Sequence, residues 1–230
     1  MTPHRSAPPS VIPTARPLAV RRLGLLPYAE GIELQADLVR RRRSNEIADT
    51  LLLLQHPHVI TLGSGSHPEH ILADESERRR LGIQIYQAGR GGDVTYHGPG
   101  QLVGYPILDL KPDRCDLHRY LRDIESVLIE VLHDLGIQAG RIDGLTGVWA
   151  GDRKLAAIGV RVSSGWITSH GFALNVSTDL AYFDSIVPCG IRDQAVGSVS
   201  GELGRDVEIP DVEEMVVRRF AERFGLEPST

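Results

Sequence analysis

A chain of 230 residues, 41% apolar and 24% charged, has the composition of an ordinary globular protein and is long enough to bury a large core, as one domain or as a main domain with a small lobe. A net charge of −5 argues against a nucleic-acid partner, and no stretch approaches the ~18 uninterrupted apolar residues of a membrane span. Two cysteines exclude a disulfide framework, and with no apolar N-terminal core to suggest export the expected location is the cytoplasm, where thiols stay reduced.

Residues 1–17 carry five prolines (Pro3, Pro8, Pro9, Pro13 and Pro17) and little apolar pattern, which predicts a disordered tail ahead of a single domain over 18–230. The pattern from Tyr28 to about Arg43 is helical. Asp49-Thr50 then leads into Leu51-Leu52-Leu53-Leu54, an unbroken apolar run suited to a strand buried on both faces. Val59–Leu62, Ile83–Gln87, Val94–His97 and Leu102–Leu108 read as further short strands separated by glycines. Asp116 is suited to cap a long helix, because apolar residues recur every three or four positions from Leu117 to Leu135 before Gly136 closes the segment. From Gly147 to Val176 the pattern is one of short strands and turns. A last helix is expected to start near Asp211, with Glu214 as its capping-box partner, and to end at Gly225. Strands and helices interleave without a βαβ rhythm, so the expected class is α+β, a mixed sheet flanked by helices, rather than a doubly wound sheet.

Four segments carry candidate chemistry. The run Arg90-Gly91-Gly92-Asp93-Val94-Thr95-Tyr96-His97-Gly98-Pro99-Gly100-Gln101 has four glycines in twelve residues, so backbone amides can approach a ligand closely. It matches neither the phosphate-loop nor the dinucleotide pattern, and a tight turn between strands is the plainer reading. Lys154 opens an apolar strand after a Gly151-Asp152 turn. Such a lysine is usually an edge residue reaching water; beside a thiol it would lower that thiol's pKa. His170, in Ser169-His170-Gly171-Phe172-Ala173-Leu174-Asn175, fits a polar core residue best. Cys189 stands between Pro188 and Gly190 after an apolar run. The thiol alone favours a buried structural cysteine; the company of the other three segments favours a nucleophile.

Taken together, these four segments, in this order and at this spacing, resemble the lipoyl (octanoyl) transferase family, related in fold to the biotin and lipoate protein ligases. The resemblance covers roughly residues 20–224 and includes Leu102-Val103-Gly104-Tyr105-Pro106 after the glycine-rich run. It implies a biotin/lipoate ligase-like catalytic domain that moves an octanoyl group from octanoyl-acyl carrier protein, through a thioester on Cys189, to a lysine ε-amine on apo lipoyl domains. Such acceptors are the glycine cleavage H protein and 2-oxoacid dehydrogenase E2 subunits. The resemblance assigns Cys189 as acyl carrier and Lys154 as the group that lowers its pKa. It assigns substrate binding to Arg90, Gly91, Gly92, Asp93, Val94, Thr95, Tyr96 and His97, to Ala157, Ile158 and Gly159, and to Gly171, Phe172 and Ala173. It implies no cofactor, no metal, no nucleic acid and no membrane.

The chemistry is consistent with that assignment. Thiolate attack on a thioester exchanges like for like, and aminolysis of a thioester runs downhill, so no nucleotide is required. Three other readings stay open: an ATP-dependent lipoate or biotin ligase, a cysteine hydrolase pairing Cys189 with His97 or His170, and a metal-binding protein using His56, His58, His67 and His70. Cys115, just ahead of the long helix, reads as a non-catalytic loop cysteine. The arginine runs Arg40–Arg43 and Arg78–Arg80 are candidate docking patches for an acidic carrier, or solvated helix faces.

Overall fold

In the computed structural model, which describes residues 15–187 and 195–229, the four leucines Leu51–Leu54 lie within strand β2 (Asp49–Gln55) near the middle of a seven-stranded sheet. The alternation of a strand sends Leu51 and Leu53 to one face and Leu52 and Leu54 to the other, and both faces are covered. All four are fully buried, each contributing about 1.5–3 kcal/mol of apolar transfer. An uninterrupted apolar run is what such a position requires.

The remaining strands of that sheet are β1 (Arg16–Leu25), β6 (Gln101–Ile107), β7 (Val148–Ala150), β8 (Arg153–Val162), β9 (Thr168–Asn175) and β10 (Leu226–Ser229), in the order β10-β1-β2-β6-β9-β8-β7. β1 runs parallel to β2 and β10; the β2–β6–β9–β8–β7 pairings are antiparallel. Helices α3 (Leu117–Asp134) and α5 (Ile209–Phe224) pack on one face, and α1 (Tyr28–Arg43) covers the other. A second sheet, β4-β3-β5, is formed by β3 (Val59–Leu62), β4 (Gln84–Gln87) and β5 (Val94–His97). Its own core contains Ile60, Tyr96 and Phe183, the last from a 3₁₀ turn over Leu180–Ser185. Two short helices, α2 (Glu75–Leu81) and α4 (Val199–Leu203), complete the described chain. None of its helices is long and apolar enough to cross a membrane.

The expected α+β class is what forms. α1 has the bounds its sequence pattern gives, and Asp116 caps α3 by accepting the Arg119 N–H. Three details differ. β1 takes in Arg16 and Pro17, which pair with Leu226 and Glu227, so strand structure begins two residues before the expected domain start. β8 is ten residues long rather than short. α5 begins at Ile209, because Pro210 has its φ preset for a first turn and needs no N–H partner there. Asp211 is therefore a first-turn residue, and Glu214 binds Arg22 at 2.6 Å instead of closing a capping box.

Both arginine runs are occupied locally. Arg40 and Arg41 pair with Asp37, Arg41 also with Glu46, Arg79 with Glu75 and Arg80 with Glu77. Arg42 reaches the buried Asp49 at 2.8 Å, and Asp49 also accepts the Asp109 N–H at 2.9 Å, so this arginine ties α1 to the sheet.

His56, fully buried after β2, holds another junction. Its Nδ1 donates to the Leu26 carbonyl at 2.6 Å, which leaves Nε2 to accept the Tyr105 hydroxyl at 2.7 Å. Burial pushes its pKa down to about 4, opposed by the bond to Leu26. The folded protein therefore takes up this proton near pH 4, whereas the unfolded chain does so near 6.5. The stability His56 supports is fully present above pH 6.5 and is lost as pH falls towards 4, at roughly 1.4 kcal/mol per pH unit. Thermal unfolding between pH 7 and 4.5 should show this decline, and His56→Gln should make it shallower by His56's share, since the buried His97 and His170 also resist protonation. An unchanged slope in the folded variant would assign the decline to other groups.

Candidate active site

A cavity of about 410 Å³ is lined by residues from both sheets, within the range of small-molecule sites, ~300–1,000 Å³. One wall is the glycine-rich loop from Arg90 to Val94. Arg90 is a buried clamp: its guanidinium donates to the carbonyls of Gly91, Asp93 and Thr61 and to the Thr61 hydroxyl, at 2.8–3.0 Å. Its visible work is to shape the loop around itself. Asp93 is held from outside, its Oδ2 2.5 Å from His70 Nδ1.

The opposite wall is the hairpin of β8 and β9. Ala157, Ile158 and Gly159 stand across from Ala173, Phe172 and Gly171, and all six line the cavity. Two of these glycines have no room to be anything else. A Cβ on Gly159 would stand 2.9 Å from Arg90 Cδ, and one on Gly171 would stand 2.1 Å from the Gly104 carbonyl oxygen. The missing side chains let the Arg90 stem pack against Gly159 and the β6 backbone against Gly171.

A third side is aromatic and neutral. Tyr28, His97, Tyr105 and His170 face the cavity. Burial lowers His97 to a pKa of about 3 and His170 to about 4, and raises Tyr28 to about 12. None of them changes charge near neutrality. His170 sits at φ +56°, and its N–H donates to the buried Gln35 side chain at 2.7 Å. The expected polar core histidine is thus buried and also a cavity-wall residue.

Lys154 enters at the start of β8. Its Nζ lies 5.1 Å from the centre of the Trp149 ring, and its backbone is gripped on both sides: its N–H donates to the Ala195 carbonyl at 2.8 Å and its carbonyl accepts the Gly197 N–H at 3.0 Å. Cys189 lies outside the described residues. The described chain before it ends at Val187, whose N–H donates to the His70 carbonyl at 2.8 Å; the chain after it resumes at Ala195, on Lys154.

Arg90, Gly91, Gly92, Asp93, Val94, Thr95 and His97 thus line one cavity with Lys154 and both hairpin trios. Tyr96 does not join them. Strand alternation sends Thr95 and His97 to the cavity and Tyr96 into the core of the small sheet, where its hydroxyl meets His58 Nδ1 at 2.7 Å. The four histidines considered as metal ligands are dispersed: His56 binds Leu26 and Tyr105, His58 binds Tyr96, and the His67 N–H and His70 side chain bind Asp93. Among the described residues no group of three or more His, Cys, Asp or Glu is placed to hold a metal. Cys115 is an exposed thiol just before α3.

The sequence reading passed over the apolar rim. Leu117 and Leu121 of α3, the loop Gly144-Leu145-Thr146, and Trp149 complete the cavity. Buried Glu125 anchors that loop, binding Arg141 at 2.7 Å and the Gly147 N–H at 3.2 Å. The available signal was Leu117, an apolar first-turn residue that the fold leaves 42% exposed.

The sequence and the fold both have counterparts. The lipoyl protein ligase A/B catalytic domain family matches residues 27–221. An octanoyltransferase of Rubrobacter xylanophilus is 55% identical over 90% of this chain and 94% of its own, and one of Solibacter usitatus is 51% identical over 92% and 95%. A putative lipoate protein ligase from T. acidophilum with bound lipoic acid superposes with a TM-score of 0.71 over 93% of this chain and 88% of its own, at 18% identity. A lipoate-protein ligase A bound with ATP superposes at 0.69 over 94% and 90%, at 19% identity. At those identities the two structures speak for the fold alone, whereas the two sequences extend the likeness to about nine-tenths of this chain. The chain belongs to the lipoyl protein ligase A/B catalytic domain family, with the octanoyltransferases as its near relatives.

Proposed function

We propose that this chain transfers an octanoyl group from octanoyl-acyl carrier protein to a lysine ε-amine on apo lipoyl domains, in the cytoplasm, with Cys189 as the acyl carrier and Lys154 as its partner. The observation that carries the reading is the convergence on one cavity of the glycine-rich loop, Lys154 and the β8–β9 hairpin, in a chain 55% identical to an octanoyltransferase. The chain on one side of Cys189 is tied to His70, which holds the cavity residue Asp93; the chain on the other side is tied to Lys154 itself.

In this mechanism the Cys189 thiolate attacks the donor's thioester carbonyl. A new carbon–sulfur bond forms, the old one breaks, and the carrier's sulfur leaves as a thiolate that takes up the proton Cys189 lost on ionising. The acceptor amine then attacks the Cys189 thioester; an amide forms, the amine gives up a proton, and the Cys189 thiol is restored. One thioester replaces another and an amide replaces a thioester, so no nucleotide is consumed. The Lys154 ammonium favours the thiolate, and its neutral amine would take the proton that the attacking amine gives up and pass it to the Cys189 sulfur. Backbone amides of the glycine-rich loop and of Gly159 are suited to the oxyanion, since glycine lets them approach. Leu121, Leu145, Ile158 and Phe172 offer apolar surface to the acyl chain, whose methylenes contribute about 0.8 kcal/mol each and on the order of 5 kcal/mol in all.

Cys189→Ala should abolish both the octanoyl adduct and transfer, and Cys115→Ala should leave both largely intact. Intact-mass spectrometry after incubation with octanoyl-acyl carrier protein reads this directly, and an adduct that persists in Cys189→Ala would refute the assignment.

Lys154→Ala should slow both half-reactions by roughly 10²-fold or more. Lys154→Arg should restore acylation of Cys189 better than transfer to the amine, because arginine keeps the cation but releases no proton near neutrality. Single-turnover rates of the two steps separate these effects; equal losses in the arginine variant would remove any proton-accepting role.

A further inference from the structure

Behind the cavity wall runs a chain of buried amides to which the family resemblance assigns no role and which the mechanism above does not employ. His97 Nδ1 lies 2.7 Å from Gln101 Oε1; Gln101 Nε2 lies 3.2 Å from the Tyr96 carbonyl oxygen and 2.9 Å from Asn175 Oδ1; Asn175 Nδ2 lies 2.9 Å from the Gly197 carbonyl oxygen. His97, Gln101 and Asn175 are all buried. The direction of every bond follows from the two ends. The Tyr96 and Gly197 carbonyls can only accept, so each must face an amide NH₂ group. Flipping either side chain would set oxygen against oxygen. Gln101 therefore presents its oxygen to His97, and Nδ1 must carry the hydrogen.

The far end of the relay is equally specific. Gly197, held by Asn175 through its carbonyl, donates its N–H to the Lys154 carbonyl. Gln101, Asn175 and Lys154 also border one small recess of about 20 Å³. The relay thus joins an imidazole on the cavity wall to the backbone that carries the lysine.

We propose that Gln101 and Asn175 are positioning residues: they hold His97 as its Nδ1–H tautomer, so that Nε2 accepts a hydrogen bond from the incoming amine, and they brace the backbone beside Lys154. The assignment of the ligand as an amine rests on the octanoyl-transfer reading. An acyl tail has no N–H to offer, whereas the nucleophile of the second step does. A neutral imidazole suits this task, and burial holds His97 neutral at working pH. The bond orients the amine lone pair towards the thioester; no proton passes to His97.

The test combines nitrogen NMR of the His97 ring with single-turnover kinetics. In the wild-type protein Nδ1 should show the shift of a protonated ring nitrogen and Nε2 that of a bare one. Gln101→Met, close in shape but unable to hydrogen-bond in this way, should release the tautomer and slow transfer to the amine by roughly tenfold while leaving acylation of Cys189 nearly unchanged. Asn175→Leu should keep the tautomer, since Tyr96 still orients Gln101, and slow both steps through the Lys154 backbone. A wild-type His97 protonated on Nε2 overturns the proposal outright, and that measurement stands even where a variant does not fold. Equal slowing of both steps in folded Gln101→Met overturns it as well. Failure to form the Cys189 adduct in the wild type would instead refute octanoyl transfer, and the nitrogen shifts, recorded without donor, would still read the relay.

Discussion

The pairing of β8 with β9 fixes where the rest of the cavity stands. Seven residue pairs, from Ala156–Leu174 to Val162–Thr168, hold the two strands in one register. That register sets Gly159 against Gly171, where two missing side chains let the glycine-rich loop and β6 come close. It also places Lys154 at the strand's mouth. A slip of one residue would turn every side chain to the other face and put a Cβ where there is no room for one. The buried strands on either side of this hairpin resist such a slip, since its inner faces belong to the main core.

Around that hairpin the cavity separates its charges from its neutral groups. The charged side chains have mechanical duties that can be seen: Arg90 folds the loop about itself and Asp93 is braced by His70. The histidines and tyrosines of the wall are held neutral by burial, and the His97 tautomer follows from carbonyls that can only accept. His56 and His97 illustrate the same device, a ring nitrogen committed to a fixed acceptor so that the other nitrogen is left as an acceptor. A site built in this way has little to reorganise when charge develops on a reacting carbonyl.

The two arginine runs lie at helix ends, largely exposed and partly paired with nearby acids. Both runs end helices and meet acids within one or two turns, and Arg42 belongs to the buried Asp49 cluster. Arg40–Arg43 also close the end of α1 opposite Tyr28, about 20 Å away at the rise of an α-helix. The apolar rim of Leu117, Leu121 and Leu145 is the feature that borders the cavity itself.

Elements whose cause is local were legible in the sequence. The four leucines of β2, the three-and-four spacing of α3 with its Asp116 cap, and the bounds of α1 follow from burial on two faces, amphipathic period and capping chemistry. The motif residues of the candidate site came from their resemblance to a family, since a glycine-rich run or a thiol alone reads as a turn or a structural cysteine; Cys189 itself lies outside the described residues. Only the tertiary structure decided which way each side chain points. Tyr96 sits in the middle of a site motif yet faces the small-sheet core, since neighbours on a strand must diverge. α5 starts earlier than its cap pattern suggests, since Pro210 presets the first turn and Glu214 pairs with Arg22 of β1. Gln101 and Asn175 each close one of the motif runs, yet nothing along the chain pairs them. They are 74 residues apart, and their meaning comes from two backbone carbonyls that folding alone brings to the ends of one line.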